Sequence, residues 1–155
     1  MRLLYTTLLF VHLVGVAVWI GGMFVMHFAV RPAAAGLLPP PQRLPLLATA
    51  LGRFFFWVSI AIAVILASGI GLIIGAGGFA NAHVSVHVMV AIGLAMMAIF
   101  LHIRFAPFPR LQRAVAASDL PAAAASLDTI RRLVVTNLVL GVVTIGVATI
   151  GRALL

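Results

Sequence analysis

Long runs of apolar residues alternate with shorter polar stretches along the chain. Four runs, at about residues 4–30, 54–76, 84–103 and 133–151, contain no Asp, Glu, Lys or Arg. About 20 apolar residues in an α-helix cross a bilayer core, because the backbone polar groups then pair within the helix. The pattern therefore predicts an all-α fold. We expect a single domain, residues 1–155, built as a polytopic bundle of four transmembrane helices.

Composition agrees with a membrane protein. Of the 155 residues, 65% are hydrophobic and 8% are charged, whereas soluble domains carry about 25% charged residues. The first run is much longer than the apolar segment of about 7–15 residues in a secretory signal peptide, so we expect it to remain as a helix. The chain contains no cysteine, which excludes disulfides, thiolate metal sites and covalently attached c-type haem. Imidazole remains as the main metal ligand.

The ten basic residues, all arginines, are spread unevenly over the connections between the runs. Eight lie in the first and third connections, and the other two, Arg2 and Arg152, lie near the chain ends. Cytoplasmic loops carry the excess of Lys and Arg, so this distribution predicts both termini on the outside. Membrane topology accounts for the net charge of +8, and we expect no nucleic-acid partner. The predicted location is the bacterial inner (plasma) membrane, with both termini periplasmic and lipid around the helices.

The two arginine-rich connections differ in pattern. The first contains Pro32 and a triplet of prolines that begins at Pro39, and we expect it to be irregular because proline removes a helix hydrogen bond. The third, about residues 105–132, is predicted to be an amphipathic cytoplasmic segment. It would form a short basic helix, a turn, and a second helix that continues into the fourth run. Either Ser118 or Asp119 is suited to cap that second helix.

Four of the five histidines form two matching pairs inside the apolar runs. His12 and His27 are fifteen positions apart in the first run, and His87 and His102 are fifteen apart in the third. These two runs are parallel, so a rise of about 1.5 Å per residue places the histidines on two levels about 22 Å apart. His12 is then at the height of His87 near the outer surface, and His27 is at the height of His102 near the inner one.

Histidines at one height on facing helices are suited to hold a haem iron from both sides. The leading hypothesis is a transmembrane b-type cytochrome with two haem b groups, one between His12 and His87 and one between His27 and His102. It would carry electrons between quinol or a periplasmic redox protein and the other face, and an oxidoreductase activity stays open. Four arginines at the inner rim are placed to bind haem propionates: Arg31, Arg53, Arg104 and Arg132.

Two other classes of function stay open. His83 precedes His87 by four residues, a spacing that brings two imidazoles to one copper or zinc ion at the outer surface. The protein would then bind or transport copper through His83, His87 and His12; beside an outer haem, His83 would instead carry protons. In the third class the protein is a non-catalytic membrane subunit whose histidines form interhelical hydrogen bonds. A homo-oligomer is compatible with each class.

Residues 12–33, HLVGVAVWIGGMFVMHFAVRPA, combine a histidine, a Trp-x-Gly-Gly motif and an Arg-Pro pair. This pattern resembles the copper-resistance D (CopD) family of bacterial inner-membrane proteins, and the resemblance implies an integral membrane protein linked to copper handling. The plan of four helices with paired histidines is also similar to di-haem b-type cytochromes and, loosely, to the haem-binding HemJ-type protoporphyrinogen oxidases. A second, weaker CopD match is the pattern D-x-x-R-R-L-x-x-x-N, formed by Asp128, Arg131, Arg132, Leu133 and Asn137.

Overall fold

The structure, a computed structural model, describes the backbone of residues 2–154 and the side chains of residues 2–151. Nearly all of this part of the chain is helical, and it contains no strand. Four helical segments are long and apolar enough to span a membrane. The prediction of an all-α protein with four transmembrane helices is therefore confirmed. The four segments are Arg2–Leu37, Pro40–Gly75, Val84–Ala116 and Leu120–Gly151.

The chain runs back and forth between two ends of the bundle. The arginine-poor end holds the start of the first segment, the link between the second and third, and the end of the fourth. The arginine-rich end holds the other two links. In chain order the elements are α1 (Arg2–Val25), a π-helix (Met26–Val30), α2 (Arg31–Leu37), α3 (Pro40–Gly75), a 3-10 turn (Phe79–Asn81), α4 (Val84–Phe105), α5 (Pro107–Ala116) and α6 (Leu120–Leu154).

The first connection is helical, so the expectation of an irregular segment is wrong. Pro40 and Pro41 occupy the first turn of α3, where an amide N–H has no partner within the helix and proline is tolerated. The carbonyl of Pro39 accepts the N–H groups of Gln42 and Arg43, both at 3.0 Å, which starts the helix. As a result α3 begins well before the apolar run does.

Pro32 does not end the first helix either. A proline inside an α-helix clashes with the carbonyl four residues before it, and a wider π-turn relieves such a clash. The π-helix Met26–Val30 directly precedes this proline, and the N–H of Arg31 bonds to the carbonyl of Met26, five residues back. The helix therefore continues through α2 to Leu37, beyond the predicted end at residue 30.

The third connection has the predicted form. The short helix α5 ends at a turn in which Ser118 adopts a positive φ of 56°, and α6 then begins and continues through the fourth apolar run. Asp119 is the cap, because its Oδ1 accepts the N–H of Ala122 at 3.0 Å. Phe108 and Leu111 lie buried on one face of α5, which packs against α6 and α3. The amphipathic face is thus covered by the bundle itself.

The helices form two close pairs, α1 with α3 and α4 with α6, and α1 also contacts α6. An aromatic cluster of Trp19, Phe55, Phe100 and Phe108 joins these pairs. The ring of Phe55 lies 5.8 Å from that of Phe100 and 5.0 Å from that of Phe108, and Trp19 lies 6.3 Å from Phe100, all edge to face. Each such pair contributes about 0.5–1.5 kcal/mol beyond its buried area.

Gly141 of α6 lies against side chains of α1 and α4. A Cβ at this position would stand 2.9 Å from Cδ1 of Ile20 and 3.3 Å from Cε of Met96. We expect Gly141→Val to lower the free energy of unfolding by about 1–3 kcal/mol, because overpacking displaces its neighbours. Thermal unfolding in detergent micelles measures this. Gly146→Val on the same helix is the matched control, since no described atom lies within 4 Å of a Cβ there; an equal loss in both variants would contradict the packing.

Candidate functional site

His12 is held against α3. Its Nδ1 lies 3.0 Å from Oγ of Ser68, and the Ser68 hydroxyl donates to the carbonyl of Val64 at 2.6 Å. A hydroxyl has one proton, so Oγ accepts from His12, Nδ1 carries the imidazole proton and Nε2 keeps its lone pair. Cε1 of the ring would stand 3.3 Å from a Cβ at Gly69, so the glycine gives the ring its space.

His83 and His87 lie at the start of α4, at the same end of the bundle as His12. His83 caps the helix: its Nδ1 accepts the N–H of Ser85 at 3.3 Å and lies 3.0 Å from Oγ of Ser85. Nδ1 of His87 lies 3.2 Å from the carbonyl of His83. A carbonyl only accepts, so this nitrogen carries the proton and Nε2 of His87 is free. The Phe79 ring packs edge-on against the exposed His87 imidazole, with centroids 4.5 Å apart.

At the arginine-rich end, His27 belongs to the π-helix and faces a cleft of about 40 Å³. We call this the arginine cleft; His27, Arg31 and Arg131 line it together with apolar side chains of α3 and α6. A π-turn inside an α-helix often marks a functional position. His102 lies exposed in the last turn of α4. His27 and His102 therefore have different surroundings.

The other arginines predicted to bind propionates make separate contacts. Arg53 is exposed on α3. The guanidinium of Arg104 lies 5.5 Å from the ring centroid of Phe108, a cation–π contact. Nε of Arg132 donates to Oδ2 of Asp128 at 2.9 Å. Contacts within the protein or exposure to solvent thus explain the positions of these three arginines.

The structure gives the two bis-histidine haem sites no support. Nδ1 of His12 is hydrogen-bonded to Ser68 of α3, and Nδ1 of His87 is hydrogen-bonded to the carbonyl of His83. Between α1 and α4 the interior is filled by Trp19 and Phe100. In the described part of the chain, no three His, Cys, Asp or Glu side chains are grouped to hold a metal ion. The haem pairing stays a sequence-based prediction.

Three buried polar side chains organise these surroundings: Ser68, Ser85 and Asn137. Ser68 contacts His12, and Ser85 contacts His83. The sequence did not predict these two contacts, although a polar residue in an apolar run is itself a signal of function. Nδ2 of Asn137 donates to the carbonyl of Met96 at 3.1 Å and so links α6 to α4. Such interhelical hydrogen bonds are typical of polar residues in membrane helices. Its Oδ1 has no hydrogen-bond partner among the described residues.

Ser68→Ala tests the assigned tautomer of His12. Without the serine acceptor, we expect the neutral ring to move its proton from Nδ1 to Nε2, the form that free imidazole prefers. Nitrogen chemical shifts of ¹⁵N-histidine-labelled protein at about pH 8, where imidazole is neutral, report the change; His12→Gln assigns the signal. Ser59→Ala is the control, since Ser59 bonds only the Phe55 carbonyl of its own helix. An unchanged His12 signal in Ser68→Ala would refute the assignment.

The chain was also compared with known proteins. A family model described as copper resistance protein D matches residues 48–150. This stretch contains Ser68, Ser85, the two histidines at the start of α4 and the pattern from Asp128 to Asn137. Residues 12–33, which resemble the same family, lie before it. Neither a curated protein nor a solved structure matches the chain significantly. Since the match covers more than half of its length, the chain belongs to the copper resistance protein D family.

Proposed function

We propose that this protein is a copper-handling membrane protein that binds a copper ion at the arginine-poor end of the bundle, through the imidazoles of His83 and His87. Membership of the copper resistance protein D family supports the link to copper. The observation that carries the proposal is the hydrogen bonding of the two Nδ1 atoms. Copper is the cargo here, and the residues described below are those that would bind it.

A histidine that binds a metal through one ring nitrogen usually donates the other N–H to a carbonyl or another oxygen. His87 already has this arrangement, because its Nδ1 donates to the His83 carbonyl at 3.2 Å. For His83, Oγ of Ser85 lies 3.0 Å from Nδ1 and accepts from it when Nδ1 carries the proton. Copper binding through Nε2 of His83 then requires the loss of only one hydrogen bond, the long 3.3 Å bond from the N–H of Ser85 to Nδ1. Both Nε2 atoms are free in that state.

The positions of these residues suit a copper ion that is passed on. Imidazole is a good ligand for copper, and His83, as the cap of α4, lies directly before the helical turn that carries His87. Two protein ligands leave coordination positions open for exchange. The Phe79 ring, 4.5 Å from His87, restricts that imidazole's orientation. His12, with Nδ1 held by Ser68, is a further imidazole at the same end.

Copper binding to the purified protein tests the proposal. After loading with copper, removal of free metal and elemental analysis, we expect wild-type protein to retain copper and His87→Ala to bind it at least about tenfold more weakly. His102→Ala is the matched control, since His102 is the exposed histidine of the same helix at the other end. Equal retention by the wild type and His87→Ala would contradict the site. A haem absorption band in the purified protein would favour the di-haem alternative instead.

We also propose that the copper site faces the periplasm, because the arginine-rich end is expected to be cytoplasmic. Fusions of alkaline phosphatase, which is active only outside the cytoplasm, test this sidedness. We expect an active fusion after Gly78, in the link between α3 and α4, and an inactive fusion after Ala117, in the turn before α6. The reverse pattern would place the histidines on the cytoplasmic side.

A further inference from the structure

The side of α4 that faces away from the bundle carries a regular pattern of residues. On its inner side α4 packs against α6, and at its end it contacts α5. The exposed residues of the opposite side include a series that recurs at alternating steps of four and three positions. Such steps form a heptad repeat, the pattern along which two helices pack as a left-handed pair. The series is His87, Ala91, Leu94, Ala98, Leu101 and Phe105.

Small and large side chains alternate within this series, which we call the outer face of α4. Ala91 and Ala98 share one heptad position, and Leu94 and Leu101 share the other. The two leucines are 56% and 52% exposed. In lipid, small residues let two helices come close, and the larger side chains then fill the space beside them. The outer face is therefore suited to pack against the same face of a second copy of this chain.

The orientation of two copies in one membrane fixes which residues would meet. Both copies insert with the same orientation, so their α4 helices are parallel, and a two-fold axis places each residue at the height of its equivalent. Residues at one heptad position of a parallel pair face each other across that axis. His87 shares its heptad position with Leu94 and Leu101, and it lies exposed. The His87 imidazoles of two copies would therefore face each other.

The copper site proposed above has an incomplete ligand set within one chain. The chain contains no Cys or Glu, and its two aspartates lie at the opposite end of the bundle, so His12, His83 and His87 are the imidazole or carboxylate ligands at this end. His12 is not grouped with the other two, since no three such side chains gather among the described residues. Copper(II) favours a tetragonal set of nitrogen and oxygen ligands. One chain thus provides His83 and His87, and further ligands must come from elsewhere.

We propose that two copies of this chain share one copper ion on their two-fold axis, held by His83 and His87 of each copy, with the outer faces of α4 packed together along the membrane. This inference rests on the proposed function, because it completes the same site. The Nε2 atom of His87 is available for the ion, since Nδ1 donates to the carbonyl of His83. The second copy would supply the two remaining imidazoles.

The size of the outer face indicates that copper drives the association. A helix of 22 residues is about 33 Å long and about 10 Å wide, so one face offers roughly 300 Å². Stable interfaces between proteins bury about 800 Å² on each partner. Packing of α4 alone is therefore too small for a stable dimer, and the shared metal ligands supply the difference. We expect the protein without copper to be mainly monomeric.

Native mass spectrometry of the full-length protein in detergent measures the number of chains and of copper ions in one particle. We expect single chains before copper is added and, after loading, two chains with one copper ion. Ala91→Phe keeps every histidine but holds the two helices apart, so we expect it to lose the dimer. It should also bind copper at least about tenfold more weakly, since even the loss of an outer partner of a metal ligand has an effect of that size. Ala148→Phe, the same change at an exposed position of α6 near the same end, should behave as the wild type does.

The outcomes separate the shared site from the copper site itself. One copper ion on a single wild-type chain would overturn the sharing and leave the proposed function standing. A copper-loaded dimer that persists in Ala91→Phe would overturn α4 as the interface. Wild-type protein that retains no copper would contradict the proposed function and the sharing with it. Ala98→Phe repeats the test seven residues further along the outer face, and thermal unfolding of each variant shows that the protein measured is folded.

Discussion

The edge-to-face contacts of Phe55 are the interaction on which the arrangement of this bundle depends. In lipid there is no hydrophobic force between helices, so close packing and a few hydrogen bonds must hold them together. Phe55 of α3 contacts Phe100 of α4 and Phe108 of α5, and Trp19 of α1 contacts Phe100 in turn. These rings connect the α1–α3 pair to the α4–α6 pair. They also fill the centre of the molecule.

Because aromatic rings fill the centre of the bundle, the side chains that are suited to bind a ligand lie at its two ends. The polar groups inside the bundle are used for structure, as when Asn137 bonds the Met96 carbonyl across α4 and α6. At the arginine-poor end, the imidazole of His87 has a free Nε2, on which the proposed copper site depends. At the arginine-rich end, basic residues outnumber acidic ones.

The sequence predicted the four helices because uncharged runs of this length have few other solutions in a bilayer. It offered either Ser118 or Asp119 as the cap of α6, and the structure selects Asp119, whose carboxylate satisfies a free N–H group at the helix start. The first connection was expected to be irregular because of its prolines. Pro40 and Pro41, however, lie in the first turn of a helix, and Pro32 follows a π-turn, and proline is tolerated at both places. The family resemblance was drawn from residues 12–33 and, more weakly, from the pattern between Asp128 and Asn137, and the match over residues 48–150 includes only the second of these.

The predicted haem pairs show a limit of spacing arguments. A fifteen-residue step sets the height of a histidine along its helix, but it does not set which neighbour the ring will face. That choice depends on local partners, such as Ser68 and Gly69 beside His12 and the His83 carbonyl beside His87. Ser68 and Gly69 are distant from His12 in the sequence, and the partner of His87 is a backbone atom. A pattern of side-chain types along the chain reveals neither kind of partner.

X-ray absorption at the copper edge of the copper-loaded protein identifies the atoms bound to the metal and so decides whether imidazoles hold it. We expect a nitrogen shell with the outer-ring scattering of imidazole, which is lost in His87→Ala. A sulfur shell from methionine, or a copper ion surrounded only by water oxygens, would contradict it.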